Sequence, residues 1–274
     1  MTVRVPLPDR LRATFADAPQ EPVVARDAAT IVVVRDGDEG IEAYLMRRQT
    51  TMAFAAGMYV FPGGGVAPSD IERDIPWFGP EPDHWAELFS CDVALAKGLV
   101  VAAIRETFEE TGILLAGPDG DTVVSDTSGD DMAAARLALD AGEIAFADFL
   151  TERGLVLRAD LLGAWAHWIT PEFQPKRFDT RFFVAALPAG QRVGTMSRES
   201  DHASWAPLSR VLAAVDAGEA AMMPPTITTC REVSAHAAAT IVAASADRPI
   251  TTVLPRVVMV DGEPFLETSF GEDA

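Results

Sequence analysis

Residues 92–111, DVALAKGLVVAAIRETFEET, constrain the fold more than any other stretch. The apolar positions recur with a helical period, so the segment reads as one long amphipathic helix. Asp92 suits an N-cap, because its carboxylate can accept from an early backbone N–H. Gly112 stands where a left-handed residue closes a helix. Gly98 is an interior weak point, costing about 1 kcal/mol relative to alanine. A helix of this length must lay its apolar face against a second layer.

The polar side of the helix raises a chemical question. With Val100 at zero and 100° per residue, Ile104, Thr107 and Thr111 share its face, flanked by Ala103 and Phe108. Arg105, Glu109, Glu106 and Glu110 fall at about 140°, 180°, 240° and 280°. A solvated face would explain such a cluster, and Arg105–Glu109 is a favourable i,i+4 pair. Two features oppose that account. Glu106 and Glu110 are a like-charge i,i+4 pair, and Glu109 and Glu110 sit at the pole of the helix dipole that disfavours anions. A divalent cation would supply the compensation, and hard cations take carboxylate oxygens. A second feature is FPGGG, residues 61–65, a glycine turn that lets backbone approach a ligand. It matters only if it meets the acidic helix in space.

Around the helix, ATIVVVRDG (29–37) and IEAYLMRRQ (41–49) read as a hairpin, and GMYVFPGGGV (57–66) as a strand entering the glycine turn. GAWAHWITP (163–171) and FDTRFFVAALP (178–188) read as strands, with a last short one at 252–262. Residues 131–154 form one helix broken near Gly142, or two; 206–219 and 224–245 are further helices. Strands and helices intermix, so the class is mixed α/β or α+β. Residues 1–27 form a proline-rich leader, lying over the domain or loose, and residues 28–274 one elaborated domain. Residues 67–90 are an irregular excursion with a helical turn near DHWAELF. Trp77, Phe78, Trp85 and Phe89 give it apolar surface to bury, at the mouth of a site or in a homodimer contact.

The net charge of −19 argues against nucleic acid polymers and anionic membranes as partners. It leaves small phosphorylated substrates open, since a bound cation inverts the local sign. Cys91 and Cys230, in no CxxC pattern, fit free thiols in a reducing compartment. The first twenty residues lack the apolar core of a signal peptide, and no run of about 18 apolar residues appears. The expectation is a cytoplasmic chain without a membrane span.

RETFEETGI, residues 105–113, matches the second half of the Nudix box, Arg-Glu-U-x-Glu-Glu-x-Gly-U with U aliphatic, and FPGG, 61–64, matches the first. The chain thus resembles the Nudix hydrolases over roughly residues 28–220. Thr107 stands at one aliphatic position and is tolerated there if its hydroxyl bonds back into the preceding turn. Arg105 follows Gly64 by 41 positions where the usual box has fourteen, an insertion of 27 residues. Counting forward from Gly64 puts the box's middle acid at Asp70; counting back from Arg105 gives Lys97. Long inserts between the two halves are similar to those of the peroxisomal coenzyme A diphosphatase branch. A second coenzyme A signature is matched only at Leu45, Arg48 and Gly57, with Ala53 where that pattern has arginine.

The resemblance implies a Nudix α/β/α sandwich with a mixed central sheet, an insertion at about 67–92 and extra helices toward the C-terminus. It implies metal-dependent hydrolysis of a diphosphate linkage in a nucleoside diphosphate joined to another group. Mg²⁺ or Mn²⁺ would be held by Glu106, Glu110 and Glu109, with the Gly64 carbonyl. Glu109 is a ligand or the base, Arg105 orients a carboxylate, and Glu199 is an alternative base. Arg48, Arg177 and Arg181 are candidates for substrate phosphates, as is Arg47. His167, Trp165, Trp168 and Phe173 suit structural roles. Coenzyme A species compete as substrates with NADH, ADP-ribose and dinucleoside polyphosphates, and a catalytically silent nucleotide-binding module is a further alternative.

Overall fold

Ile31, Val32, Val33 and Val34 are each fully buried, which requires a sheet covered on both faces. The computed structural model describes residues 1–48, 57–194 and 200–271. The leader forms β1 (Thr2–Pro6) and α1 (Asp9–Ala16). A hairpin follows, β2 (Arg26–Gly37) and β3 (Gly40–Arg48), and then the short strands β4 (Tyr59–Val60) and β5 (Gly63–Gly65). The insertion holds α2 (Pro68–Glu72), β6 (Trp77–Phe78) and α3 (Pro82–Phe89), and leads into α4 (Val93–Thr111). Next come β7 (Ala116–Gly117), α5 (Asp130–Asp140), α6 (Phe146–Glu152), β8 (Val156–Arg158), β9 (Gly163–Ile169), β10 (Phe178–Ala186) and β11 (Ser200–Pro207). The chain ends through α7 (Leu208–Asp216), α8 (Pro224–Val233), α9 (Ile241–Ser245), β12 (Thr252–Val253), β13 (Arg256–Val260) and β14 (Glu263–Ser269).

The central sheet runs β11-β3-β2-β10-β9-β12, with β4 paired to β3 and β5 to β2. It is mixed: β10 lies parallel to β2 and β12 to β9, and the other pairings are antiparallel. Strand alternation then sorts the core. Ile31 and Val33 pack with Trp85, Phe89, Leu99 and Ile104 on the α3–α4 side. Val32, Val34 and Leu45 pack with Trp165, Leu208, Cys230 and Ile241 on the α7–α9 side. The α/β/α sandwich that the resemblance implies is the fold found.

The leader is structured and tied to the far end of the chain. β1 pairs β14, and β14 pairs β13, in a three-stranded sheet. Leu7 packs with Phe173 and Leu266, and Leu11 and Phe15 close over them. The insertion is also more regular than its four prolines suggest. Pro68 and Pro82 stand at the first helical positions of α2 and α3, where the missing N–H costs nothing. Trp85 and Phe89 are spent inside the main core, and Trp77 packs against it, which removes most of the apolar surface that suggested a mouth or dimer contact. Phe78 alone of the four remains exposed, its ring beneath Arg158.

Helix α4 has the predicted ends. The Leu95 N–H donates to Asp92 Oδ1 at 2.8 Å, and Gly112 adopts φ +79° with its N–H donating to the Phe108 carbonyl. Gly98 has a packing reason: a Cβ there would lie 2.6 Å from Ile71 Cγ1 and 2.9 Å from Val66 Cγ1, so α2 and the glycine turn approach α4 only because the side chain is absent. Among the described residues, no helix is long and apolar enough to cross a membrane.

Candidate functional site

The acidic face of α4 is not solvated. The side chains of Arg105, Glu106 and Glu109 are 11%, 17% and 8% exposed, and Glu110 is buried. The cover comes from β5, pinned edge-on to β2 by the pairs Ala28–Gly65, Ala29–Gly64 and Thr30–Gly63. The Gly63 N–H donates to Glu110 Oε2 at 2.8 Å. A Cβ on Gly64 would sit 2.4 Å from Glu106 Oε1, so the glycine lets the turn press against that carboxylate. The two halves of the motif therefore meet in space. Thr107 and Thr111 fit the buried face because their hydroxyls donate to the Ala103 and Thr107 carbonyls at 2.8 and 2.6 Å.

Arg105 organises the carboxylates. Its Nε and Nη2 donate to the two oxygens of Asp70, each at 3.0 Å. Nη2 also donates to the Gly65 carbonyl, and Nη1 donates to Glu106 Oε1 at 2.9 Å and Glu109 Oε2 at 3.0 Å. All five guanidinium N–H groups are thereby used. Burial works against the charge on Arg105, but Asp70, Glu106 and Glu109 outweigh it and hold its pKa above the ordinary value. For Glu109 the neutral form is the one favoured. Burial, reinforced by the Glu106 charge, pushes its pKa up to about 7 against the pull of Arg105. A firmly charged Arg105 beside a Glu109 pushed toward neutral is consistent, because the arginine's strongest partner is Asp70 and only Nη1 is left to share between two glutamates.

Of the two positions for the middle of the box, Asp70 is the one that meets Arg105. Its carboxylate is 1% exposed and also accepts from the Ala67 N–H, at 2.8 Å. The competing alignment falls away, since Lys97 Nζ donates to the Ile71 and Arg73 carbonyls at 3.1 and 2.6 Å. The 27 extra residues enter between Asp70 and Arg105. Counting six positions forward from Gly64 was the signal in the sequence, and the pairing with Arg105 is what assigns it.

Carboxylates beside a glycine turn form an oxygen donor set suited to a hard divalent cation, and a glutamate with a pKa near 7 is one that a cation would relieve. The lone pairs are at present engaged by Arg105 and the Gly63 N–H, and among the described residues no three acidic, histidine or cysteine side chains converge as a ready-made cluster.

Arg177 donates to the Thr170 and Val23 carbonyls, pinning the leader, and Arg181 pairs with Asp27 at 2.7 Å and Asp179 at 2.9 Å. Arg48 sits at the end of β3, its backbone paired with Met58 and Gly57, and Arg47 pairs across to Tyr59 and His202. His167 is buried between Asp179 and the Thr252 hydroxyl. Trp165, Trp168 and Phe173 are core residues. Glu199 lies outside the described residues. Two residues that the motif does not mark also border the site. Tyr44 is buried with its pKa pushed up to about 12, chiefly by burial, within the fields of Arg136 and Glu110. Arg136, from α5, donates from Nη2 to the Glu109 carbonyl at 3.0 Å.

The family model described as the NUDT19 Nudix domain matches residues 76–233, more than half of the chain. Among curated proteins, the chain is similar to the acyl-coenzyme A diphosphatase NUDT19 of Xenopus laevis, 27% identical over 197 residues, covering 60% of this chain and 52% of that protein. It is similar to the NUDT19 of Gallus gallus, 28% identical over 182 residues, covering 53% and 48%. The chain thus spans about half the length of these curated relatives. Among solved structures, a Nudix hydrolase from Alicyclobacillus acidocaldarius superposes with a TM-score of 0.65 at 32% identity, covering 78% of this chain and 93% of that one.

Proposed function

The chain belongs to the Nudix hydrolase family, and on that premise we propose that it is a metal-dependent diphosphatase that cleaves the diphosphate linkage of a coenzyme A-type substrate. The observation that carries the reading is the closed box: Gly63 and Gly64 lie directly on Glu110 and Glu106, and Arg105 gathers Asp70, Glu106 and Glu109. The coenzyme A class is supported by the split box and by the relatives from Xenopus laevis and Gallus gallus, both named as acyl-coenzyme A diphosphatases.

Glu106 and Glu110, with the Gly64 carbonyl, would hold Mg²⁺ or Mn²⁺. The ion, when bound, offsets the charge of the diphosphate and acidifies water. Glu109 is a third ligand or, where it stays free of the ion, the base that would take the proton from the attacking water. Arg105 fixes the orientation of Glu106 and Glu109, and Asp70 fixes Arg105. Two thiols outside any disulfide suit the cytoplasm as the place of action.

A substrate panel with Mg²⁺ and Mn²⁺ tests the reading: coenzyme A and acyl-coenzyme A, NADH, ADP-ribose and dinucleoside polyphosphates, with products resolved by chromatography. The expected result is cleavage of the coenzyme A class, lost by at least about 10²-fold in Glu109→Gln and Glu110→Gln variants that remain folded. Full activity in both variants overturns the roles. Ligand binding without turnover across the panel would favour the silent module.

A further inference from the structure

We propose that Arg136 is a positioning residue of this site: from α5 it clamps the last turn of α4 and so sets the carboxylates of Glu109 and Glu110 for the cation. The proposal rests on the Nudix reading above.

Arg136 is 7% exposed on a helix whose other charged residues face solvent, and burying a guanidinium is costly unless its donors are used. Its Nη1 and Nη2 lie at the C-terminal end of α4. The carbonyls of the last turn have no partners within the helix. Arg136 Nη2 takes that of Glu109 at 3.0 Å, and the Gly194 N–H takes that of Thr111 at 2.7 Å. Two glycines make room for the guanidinium. A Cβ on Gly194 would lie 2.3 Å from Nη1, and one on Gly112 would lie 3.2 Å from it. The positive charge therefore rests at the negative pole of the helix that carries the three glutamates.

A charge role and a positioning role have opposite consequences. A cation near a guanidinium is repelled by it, so if charge were all that Arg136 supplied, its removal would tighten metal binding. If Arg136 holds the turn, its removal loosens the carboxylates and weakens metal binding. Mn²⁺ titration followed by electron paramagnetic resonance separates the two, with circular dichroism to verify the fold and kcat and KM measured on the substrate found by the panel. Arg136→Met is expected to weaken Mn²⁺ binding by about 10–100-fold and to lower kcat with little change in KM. Arg136→Lys is expected to recover part of both. Gly194→Ala keeps the guanidinium but displaces it, and is expected to weaken Mn²⁺ binding in the same direction. Binding by Arg136→Met as tight as wild type, or tighter, overturns the inference. Should that variant fail to fold, wild-type Mn²⁺ affinity in both Arg136→Lys and Gly194→Ala overturns it instead. A wild-type chain that neither binds Mn²⁺ nor cleaves a diphosphate sinks the underlying reading and this inference with it; a competent wild type with unaffected variants sinks the inference alone.

Discussion

Replacing Asp70 by asparagine removes one charge and leaves almost everything else in place. Asp70 is 1% exposed, and its two oxygens take Arg105 Nε and Nη2 and the Ala67 N–H. Breaking a buried ion pair by deleting one partner typically costs about 3–5 kcal/mol, because the surviving charge stays buried. Here Arg105 keeps Glu106, Glu109 and the Gly65 carbonyl, and an asparagine oxygen can still accept one bond. The expected loss is therefore smaller, about 2–3 kcal/mol. At about 2.1 cal/mol/K per residue, a chain of 274 residues unfolds with an entropy near 0.6 kcal/mol/K, so Tm should fall by about 3–5 °C. Urea titration should show a lower midpoint at an unchanged slope. Asp148→Asn is the control, since the Arg73–Asp148 pair is about half exposed on both sides and should move stability by at most about 0.5 kcal/mol. If Asp70→Asn melted within 1 °C of wild type, as the control should, the Arg105–Asp70 fork would not be what closes the box.

Three further outcomes follow from the same geometry. The pKa of Glu109 is raised when folded, so its protonated form favours folding below about pH 4.5, and that contribution is lost as pH rises through about 7. Metal-free wild type should thus lose more Tm between pH 5 and 8 than Glu109→Gln does; an equal loss in both would refute the shift. Gly98→Ala is expected to destabilise by about 1–3 kcal/mol, measured by urea unfolding, despite alanine's better helix propensity, because the new Cβ meets Ile71 and Val66. A stabilised variant would show that propensity wins. Gly64→Ala should leave the melting curve within a few degrees of wild type while weakening Mn²⁺ binding by about tenfold or more, because its Cβ displaces the Glu106 carboxylate; unchanged Mn²⁺ affinity would remove the glycine from the site.

Local chemistry decided what could be read in the chain directly. The ends of α4 follow from Asp92 and Gly112, the β2–β3 hairpin from its β-branched run and turn, and the break between α5 and α6 from Gly142. The carboxylates could be placed on one face because helical geometry depends only on spacing. The helix wheel could not tell a wet face from a covered one, since cover comes from a turn some forty residues away. The same limit explains the leader, whose partner strand β14 stands at the other end of the chain, and β11, whose alternation was too weak to mark it as a strand. It explains the insertion too: Trp85 and Phe89 look like spare apolar surface until α3 is laid on β10, where both meet Phe183. Arg136 and Tyr44 join the site only through packing, because their relation to α4 is a distance in space with no fixed spacing along the chain, whereas the count from Gly64 reached Asp70 but could not choose it over Lys97. The sequence by itself determined which helix carries the carboxylates and where that helix stops. Tertiary structure alone decided that those carboxylates are buried, that Asp70 answers Arg105, and that Gly63 and Gly64 lie against them. Burial and long-range hydrogen bonding depend on which elements come together, and no local pattern records that.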